Sequence, residues 1–191
     1  MNDYKIYKSK IIIENHKEFV ILCEELDVEL REEFSIGVDN STTWEYNRYG
    51  LFNLKQGNKL FDSLKEELID IIKENYKDEC WFTSWLNFDT YDTVEHTLKK
   101  HFHESPLHGY ISIDPKNTKT NFPYSGFVVD NEIGNIYIGP GGGGPGNDIK
   151  SNKWKHEVIN TSDYEGNRIT IAFDVVFTHP KTQSYRWFKV N

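Results

Sequence analysis

The part of the chain that follows residue 79 consists of short stretches with high β propensity, and this sequence pattern constrains the fold more than any other feature. The stretches are rich in β-branched and aromatic residues and are separated by Gly, Pro, Asn and Asp. They read CWFTSWLNF, HGYISI, SGFVVD, GNIYIG, KHEVIN and RITIAFDVVF. Runs of this length between turn residues are typical of an antiparallel sandwich or barrel, so we predict a β core over residues 80–191.

Residues 1–79 show helical periodicity instead, with two groups of apolar residues that recur at intervals of three and four. The groups are Phe19, Leu22, Cys23, Leu26 and Leu30, and Leu64, Leu68, Ile71 and Ile72. Asn15 and Glu18 precede the first group with the spacing of a capping box. Ser63 and Glu66 have the same spacing before the second group. We predict a helical support region packed on the β core, within one α+β, mainly-β domain.

The charge and apolar content of the chain argue against several function classes. The formal net charge is −8 and no stripe of Lys or Arg stands out, which argues against a nucleic-acid partner. No apolar run is long enough to span a bilayer, and the beginning, MNDYKIYKSK, lacks the apolar stretch of a signal peptide. Cys23 and Cys80 match no metal-ligand spacing, so we expect buried thiols in a reducing compartment. We therefore expect a cytoplasmic protein without a membrane partner.

Three histidines of the β-rich part are candidate ligands of one metal ion. His101 and His103 are two residues apart just before a β stretch, and in an extended chain such residues project to the same face. His156 lies in a second short β stretch, where a returning strand would bring a third imidazole to the pair. A His-x-His pair alone is weakly specific. The other histidines are assigned as follows: His108 could lie behind the ligands, and His16, His96 and His179 are ordinary surface or core residues.

Arg168 and Thr170 begin the last long β stretch and share one of its faces. A guanidinium beside a hydroxyl is well suited to bind a carboxylate, because both groups donate hydrogen bonds. A buried arginine also needs an anion to offset the cost of its burial. The alternative is a structural salt bridge to one of the thirty acidic residues of the chain.

Together these motifs resemble the iron(II)/2-oxoglutarate-dependent oxygenases, and most closely the small prolyl-hydroxylase-like members of bacteria and phages. The resemblance covers about half of the chain, from Trp85 to Val176. The matching motifs are Trp85-Leu86-Asn87, His101-Phe102-His103, the stretch from His108 to Pro115, Trp154-Lys155-His156 and Arg168-Ile169-Thr170. It implies a jelly-roll core, which is a double-stranded β-helix, with the N-terminal helices packed on one sheet.

The resemblance also implies a chemistry and a site. Iron(II) would be bound by His101, His103 and His156, while Arg168, helped by Thr170, would bind the far carboxylate of 2-oxoglutarate. The residues expected over this cosubstrate are Asn87, Tyr91 or Tyr110. With dioxygen, such a site would hydroxylate a peptide, an amino acid or a small metabolite. The location would be the host cytoplasm if a phage encodes the protein.

Two departures from the family pattern leave other functions open. His103 stands where a carboxylate ligand is usual, unless Glu104 takes that place, and the tyrosine-rich strand after the pair is reduced to Tyr-Ile-Ser-Ile. The segment Gly139–Gly146, GPGGGGPG, has no counterpart and is predicted to be a loop between two strands, as a lid or as a plain surface loop. The alternatives are a three-histidine cupin-like metalloenzyme without 2-oxoglutarate, and a non-catalytic jelly-roll module for binding or for a virion.

Overall fold

The computed structural model describes residues 4–34, 50–92, 100–143, 152–180 and 186–191. The helices are α1 (Lys10–Glu14), α2 (His16–Phe34), α3 (Leu51–Leu54) and α4 (Lys59–Asn75). The strands are β1 (Lys5–Lys8), β2 (Trp81–Asp89), β3 (Leu107–Asp114), β4 (Thr118–Phe122), β5 (Phe127–Asp130), β6 (Asn135–Pro140), β7 (Glu157–Asn160), β8 (Arg168–Val176) and β9 (Phe188–Lys189). A short 3-10 helix, Asn152–Trp154, precedes β7.

These strands form two sheets in which every pair of neighbouring strands is antiparallel. The larger sheet has the order β1-β6-β3-β8-β2-β9, and the smaller has the order β5-β4-β7. Each of the six predicted β stretches overlaps one of these strands. The predicted α+β, mainly-β class is therefore confirmed.

The N-terminal helices pack against one face of the larger sheet. Their buried apolar residues form a single hydrophobic core with those of β2, β3 and β8. All the predicted apolar positions of α2 and α4 are buried except Leu22, which is half-buried. Each buried Leu, Ile or Phe contributes about 1.5–3 kcal/mol to folding, which is why these helices hold to the sheet. Within the described ranges, no helix has the length and apolar content needed to cross a membrane.

The structure corrects two predictions for residues 1–79. Helix α4 begins at Lys59, because the side-chain oxygen of Asn58 accepts hydrogen bonds from the first free backbone N–H groups of the helix. Ser63 therefore lies inside the helix, and its predicted role as the start of a capping pair is wrong. Strand β1 is also part of this supposedly helical region, and it forms one edge of the larger sheet by pairing with β6.

Alternation along β2, β3 and β8 separates the two faces of the larger sheet. One set of side chains enters the core beneath the helices. The other set faces the smaller sheet, since Trp85, Tyr110 and Ala172 share a second hydrophobic cluster with Phe122 and Val129. This inner face also carries buried polar residues, which include Asn87, Asp89, His108, Arg168, Thr170 and Asp174.

Candidate metal centre

His101, His103 and His156 lie together beside the inner face of the larger sheet. The backbones of His101 and His156 exchange two hydrogen bonds, of 3.0 Å from His101 N to His156 O and 2.8 Å from His156 N to His101 O. His103 forms a parallel bridge with Gly142. One ring nitrogen from each of the three histidines lies within 4.8 Å of the corresponding nitrogens of the other two. The structure thus brings together the three histidines that the sequence singled out.

The ring centres of these imidazoles have separations that suit one metal ion. They are 4.5 Å for His101 and His156, 5.3 Å for His101 and His103, and 5.5 Å for His103 and His156. Imidazoles bound to one ion at about 2.1 Å place their ring centres roughly 4.6–5.3 Å apart at octahedral or tetrahedral angles. The three side chains therefore fit a divalent metal such as iron(II), which imidazole binds well.

His156 is held in a form that suits a metal ligand. Its Nδ1 donates a hydrogen bond of 3.2 Å to the carbonyl oxygen of Trp154, which leaves the lone pair of Nε2 available for a metal. Burial, followed by the neighbouring imidazole of His101, lowers the pKa of His156 well below its usual value. The imidazole is therefore neutral, which is the form that binds metals.

A fourth imidazole and a carboxylate adjoin this group. The ring of His108 stacks on that of His103, with centres 3.3 Å apart and planes inclined by 9°. Asp174 Oδ1 lies 3.0 Å from His108 Nδ1 and 3.2 Å from His103 Nδ1, and it accepts a hydrogen bond of 2.7 Å from Ser105 Oγ. The sequence suggested His108 as a residue behind the ligands, but it did not point to Asp174. The sequence did contain a signal that could have identified Asp174, because this residue lies on the same predicted strand and the same face as Arg168.

The protonation states of this group follow from burial and from mutual contact. Burial, followed by the neighbouring imidazole of His103, lowers the pKa of His108 to about 3, so its ring is neutral. Burial would raise the pKa of Asp174, but His103 and His108 together hold it well below its usual value. Asp174 is therefore an ionised carboxylate in contact with one candidate metal ligand. Glu104 is exposed and belongs to neither cluster of candidate metal ligands found among the described residues.

The glycine-rich segment Gly139–Gly146 packs against the stretch that carries His103. Its first two residues complete β6, so the prediction that the whole segment is a loop is wrong, and its last three residues lie outside the described ranges. The N–H of Gly143 donates a hydrogen bond of 3.2 Å to Ser105 O. A Cβ atom on Gly141 would lie 2.2 Å from the same carbonyl oxygen, which is closer than atoms can approach. The absence of side chains lets this backbone approach the ligand-bearing stretch.

Arg168 is buried and already has an anionic partner. Its Nη1 lies 3.0 Å from Asp89 Oδ2, and the two side chains are 3% and 0% exposed. Its Nε donates to Thr118 Oγ1 at 3.3 Å, and Nη1 also donates to Thr170 Oγ1 at 3.4 Å. Nη2 makes no hydrogen bond to any residue that the structure describes. The salt bridge that the sequence left open as an alternative is thus present, while no described residue occupies the Nη2 edge of the guanidinium.

Two further predicted cosubstrate residues belong to the same buried polar region. Asn87 Nδ2 donates to Thr170 Oγ1 at 3.5 Å. The hydroxyl of Tyr110 donates to Asn131 Oδ1 at 2.8 Å, and burial raises the pKa of this phenol to about 12. The charge of Arg168 acts on the same phenol and opposes that rise. Both side chains therefore lie on the face that carries the guanidinium.

The remaining candidates lie apart from these groups. Tyr91 is 37% exposed and is not part of the buried polar region. His179 is exposed, and His16 lies on helix α2. His96 lies outside the described residues.

Comparisons with known proteins support the fold. No protein-family model matches the sequence, and no curated protein matches it. Among solved structures, the viral collagen prolyl hydroxylase of Paramecium bursaria Chlorella virus-1 superposes with a TM-score of 0.56 at 10% identity, over 90% of this chain and 89% of that one. A full-length Neurospora crassa protein, solved in complex with alpha-KG, superposes with a TM-score of 0.51 at 12% identity, over 95% of this chain and 78% of that one. The predicted resemblance to the iron(II)/2-oxoglutarate-dependent oxygenases, with its jelly-roll core, is therefore confirmed as a shared fold.

Proposed function

We propose that this chain is an iron(II)- and 2-oxoglutarate-dependent oxygenase that hydroxylates a peptide, an amino acid or a small metabolite. The observation that carries the proposal is the approach of His101, His103 and His156, whose candidate ligand atoms lie within 4.8 Å of one another. The fold shared with a collagen prolyl hydroxylase and with a protein solved in complex with alpha-KG supports the same function. A fold alone hosts many functions, so the three imidazoles are the stronger support.

In this proposal His101, His103 and His156 hold the metal, and the remaining coordination positions serve the cosubstrate and dioxygen. Bound iron(II) would supply the activation of dioxygen, in which 2-oxoglutarate is oxidised to succinate and carbon dioxide while one oxygen atom enters a substrate C–H bond. The protein's part is to bind and orient the reactants. The buried inner face excludes water from them.

Arg168 is the proposed partner of the far carboxylate of 2-oxoglutarate. Its Nη2 edge carries hydrogen-bond donors that no described residue uses. Thr170 is held against the guanidinium by a contact of 3.4 Å, and it would add a hydroxyl to the same carboxylate site. We propose that Asn87 and Tyr110, which belong to the same buried region, contact the cosubstrate along its length.

The buried pair of Arg168 and Asp89 also favours a second candidate function. Because Asp89 already balances the guanidinium charge, the site could operate as a three-histidine metalloenzyme that uses no 2-oxoglutarate. That enzyme would bind the same metal without any contribution from Arg168. A non-catalytic jelly-roll module would bind no metal at all.

Melting temperatures under anaerobic conditions separate these functions. We expect Mn(II), as a redox-stable substitute for iron(II), to raise the melting temperature, and 2-oxoglutarate to raise it further only when Mn(II) is present. At a hundredfold excess over the dissociation constant, each stabilisation is about 2.7 kcal/mol, which is roughly 5–10 °C for a chain of this size. A shift with Mn(II) alone would favour the metalloenzyme without 2-oxoglutarate, and no shift would contradict both enzymatic functions.

The matched control removes the guanidinium without leaving a buried charge unpaired. The double variant Arg168→Gln with Asp89→Asn is neutral at both positions, so it avoids the cost of an unpaired buried ion. We expect it to keep the Mn(II) shift and to lose the 2-oxoglutarate shift. The formation of succinate in air, with iron(II) and candidate peptides, then tests the reaction itself.

We also propose a cytoplasmic location. Cys23 and Cys80 are both buried free thiols, which suits a reducing compartment.

A further inference from the structure

Asp174 is the centre of a compact group of hydrogen bonds next to the candidate metal ligands. A single oxygen, Oδ1, lies within hydrogen-bonding distance of His108 Nδ1 at 3.0 Å, His103 Nδ1 at 3.2 Å and Ser105 Oγ at 2.7 Å. The carboxylate is 5% exposed, so water does not satisfy it. A buried carboxylate with three such neighbours is a fixed feature of the interior.

The positions of the two imidazoles exclude a metal ion shared between them. Their rings are nearly parallel, with planes inclined by 9° and centres 3.3 Å apart. Parallel rings whose centres are only 3.3 Å apart must overlap face to face and cannot be coplanar, and the lone pair of an imidazole nitrogen lies in the plane of its ring, so one ion cannot lie in both planes. Although His103, His108 and Asp174 are close enough to be considered as ligands of one ion, this stacking argues against it. His108 Nδ1–H therefore donates a hydrogen bond to Asp174 Oδ1, and His103 Nδ1 lies in close polar contact with the same oxygen.

The elements that carry this group hold it in place. Asp174 on β8 lies directly opposite His108 on β3. The indole of Trp85, on β2, lies against both rings, with centres 5.8 Å from His103 and 6.2 Å from His108. Three neighbouring strands of one sheet thus fix the carboxylate, the stacked imidazole and the indole relative to one another.

We propose that Asp174 is a positioning residue that holds His103 by its Nδ1–H and so presents Nε2 of that ring to the metal. This inference rests on the proposed function, because it requires the metal to bind at His101, His103 and His156. His108 is then not a ligand but a ring that supports His103 from behind. The carboxylate that the family pattern expects at position 103 is supplied from β8, one hydrogen bond away from the metal. The negative charge of the site is retained at a greater distance from the ion.

Anaerobic titration with Co(II), followed by visible absorption and by melting temperature, tests this role. We expect Asp174→Asn, which replaces a charged acceptor with a neutral amide, to weaken Co(II) binding by about 10- to 100-fold, the usual effect of altering the hydrogen-bond partner behind a metal ligand. The absorption bands of bound Co(II) should also shift, because the electron donation of His103 changes. A purely structural role would lower the melting temperature without changing the spectrum of the bound ion.

A second variant and a matched control keep the test decisive if Asp174→Asn folds poorly. His108→Phe retains a ring on His103 but has no nitrogen, so we expect it to bind Co(II). Ser112→Ala is the control, since Ser112 lies on the same face of β3 and its buried hydroxyl has no hydrogen-bond partner among the described residues. Loss of Co(II) binding in His108→Phe, or wild-type affinity and spectrum in Asp174→Asn, would overturn this inference but leave the proposed function standing. If the wild-type protein binds no Co(II), the proposed function is contradicted and this inference with it.

Discussion

Arg168 and Asp89 lie directly opposite each other on β8 and β2, and their side chains form an ion pair of 3.0 Å in the interior. The guanidinium is 3% exposed and the carboxylate is fully buried. A dicarboxylate that enters this region meets a cation whose charge is already balanced. In the proposed function, Asp89 would therefore compete with the far carboxylate of 2-oxoglutarate for the same guanidinium.

This competition predicts that Asp89→Asn binds 2-oxoglutarate more tightly than the wild-type protein does. Without 2-oxoglutarate the variant should lose about 3–5 kcal/mol of stability, because it leaves a buried charge unpaired. The measurement is the melting temperature with Mn(II), with and without 2-oxoglutarate. Asp114→Asn is the control, since Asp114 pairs with Lys116 nearer the surface and should cost about 1 kcal/mol or less. Weaker 2-oxoglutarate binding in Asp89→Asn would show that Asp89 positions the guanidinium instead of competing for it.

The close approach of the glycine-rich segment to the stretch that carries His103 predicts a selective effect of Gly141→Ala. The new Cβ atom would lie 2.2 Å from Ser105 O, so one backbone must move. We expect a loss of about 1–3 kcal/mol in stability together with weaker Mn(II) binding.

The control for this variant is Gly126→Ala in the turn between β4 and β5. Gly126 has a φ of 68°, which costs an alanine roughly 1–2 kcal/mol, but a Cβ atom there meets nothing within 4 Å. Its stability should fall while its Mn(II) affinity stays at the wild-type value. Equal Mn(II) affinities in the two variants would mean that the glycine contact does not position His103.

The packing of helix α4 on the larger sheet predicts that a substitution in this core lowers the free energy of unfolding without changing the metal affinity of the folded protein. Leu68 is fully buried in the helix–sheet core, so Leu68→Ala should cost about 2–5 kcal/mol. Val28 on α2 is 56% exposed, so Val28→Ala should change stability by less than about 0.5 kcal/mol. Urea unfolding measures both effects. The Mn(II) affinity of the folded protein should be the same in both variants. A large loss of Mn(II) affinity in Leu68→Ala would contradict this expectation and show that the helices shape the metal site.

Much of the fold could be predicted because its strands have local patterns. Strands β2 and β8 are long, apolar and β-branched or aromatic, and both were found from these features alone. Strand β4, TKTNF, was missed because two of its three buried residues are Thr118 and Thr120, which a search for apolar alternation does not detect. Strand β1 was missed because it is short and largely exposed, and it is a strand only through its pairing with β6.

In the candidate site, too, the features that depend on neighbouring residues in the sequence could be predicted, while those that depend on contacts between distant strands could not. His101 and His103 could be paired from their spacing, since two residues of an extended chain share a face. The contacts of Asp174 and Asp89 depend on the register between strands, which spacing along the chain does not contain. Arg168 could equally well have met a ligand or any nearby acidic residue, and only the register identifies Asp89 as its partner.

The most direct test of the central claim is the iron content of the protein after anaerobic loading with iron(II) and removal of the excess. We expect one iron ion per chain in the wild-type protein and in His179→Ala, which removes an exposed histidine outside the cluster. We expect no retained iron in His156→Ala, a variant that leaves the backbone hydrogen bonds with His101 intact. Equal iron content in His156→Ala and the wild-type protein, or none in either, would contradict a metal centre built from His101, His103 and His156.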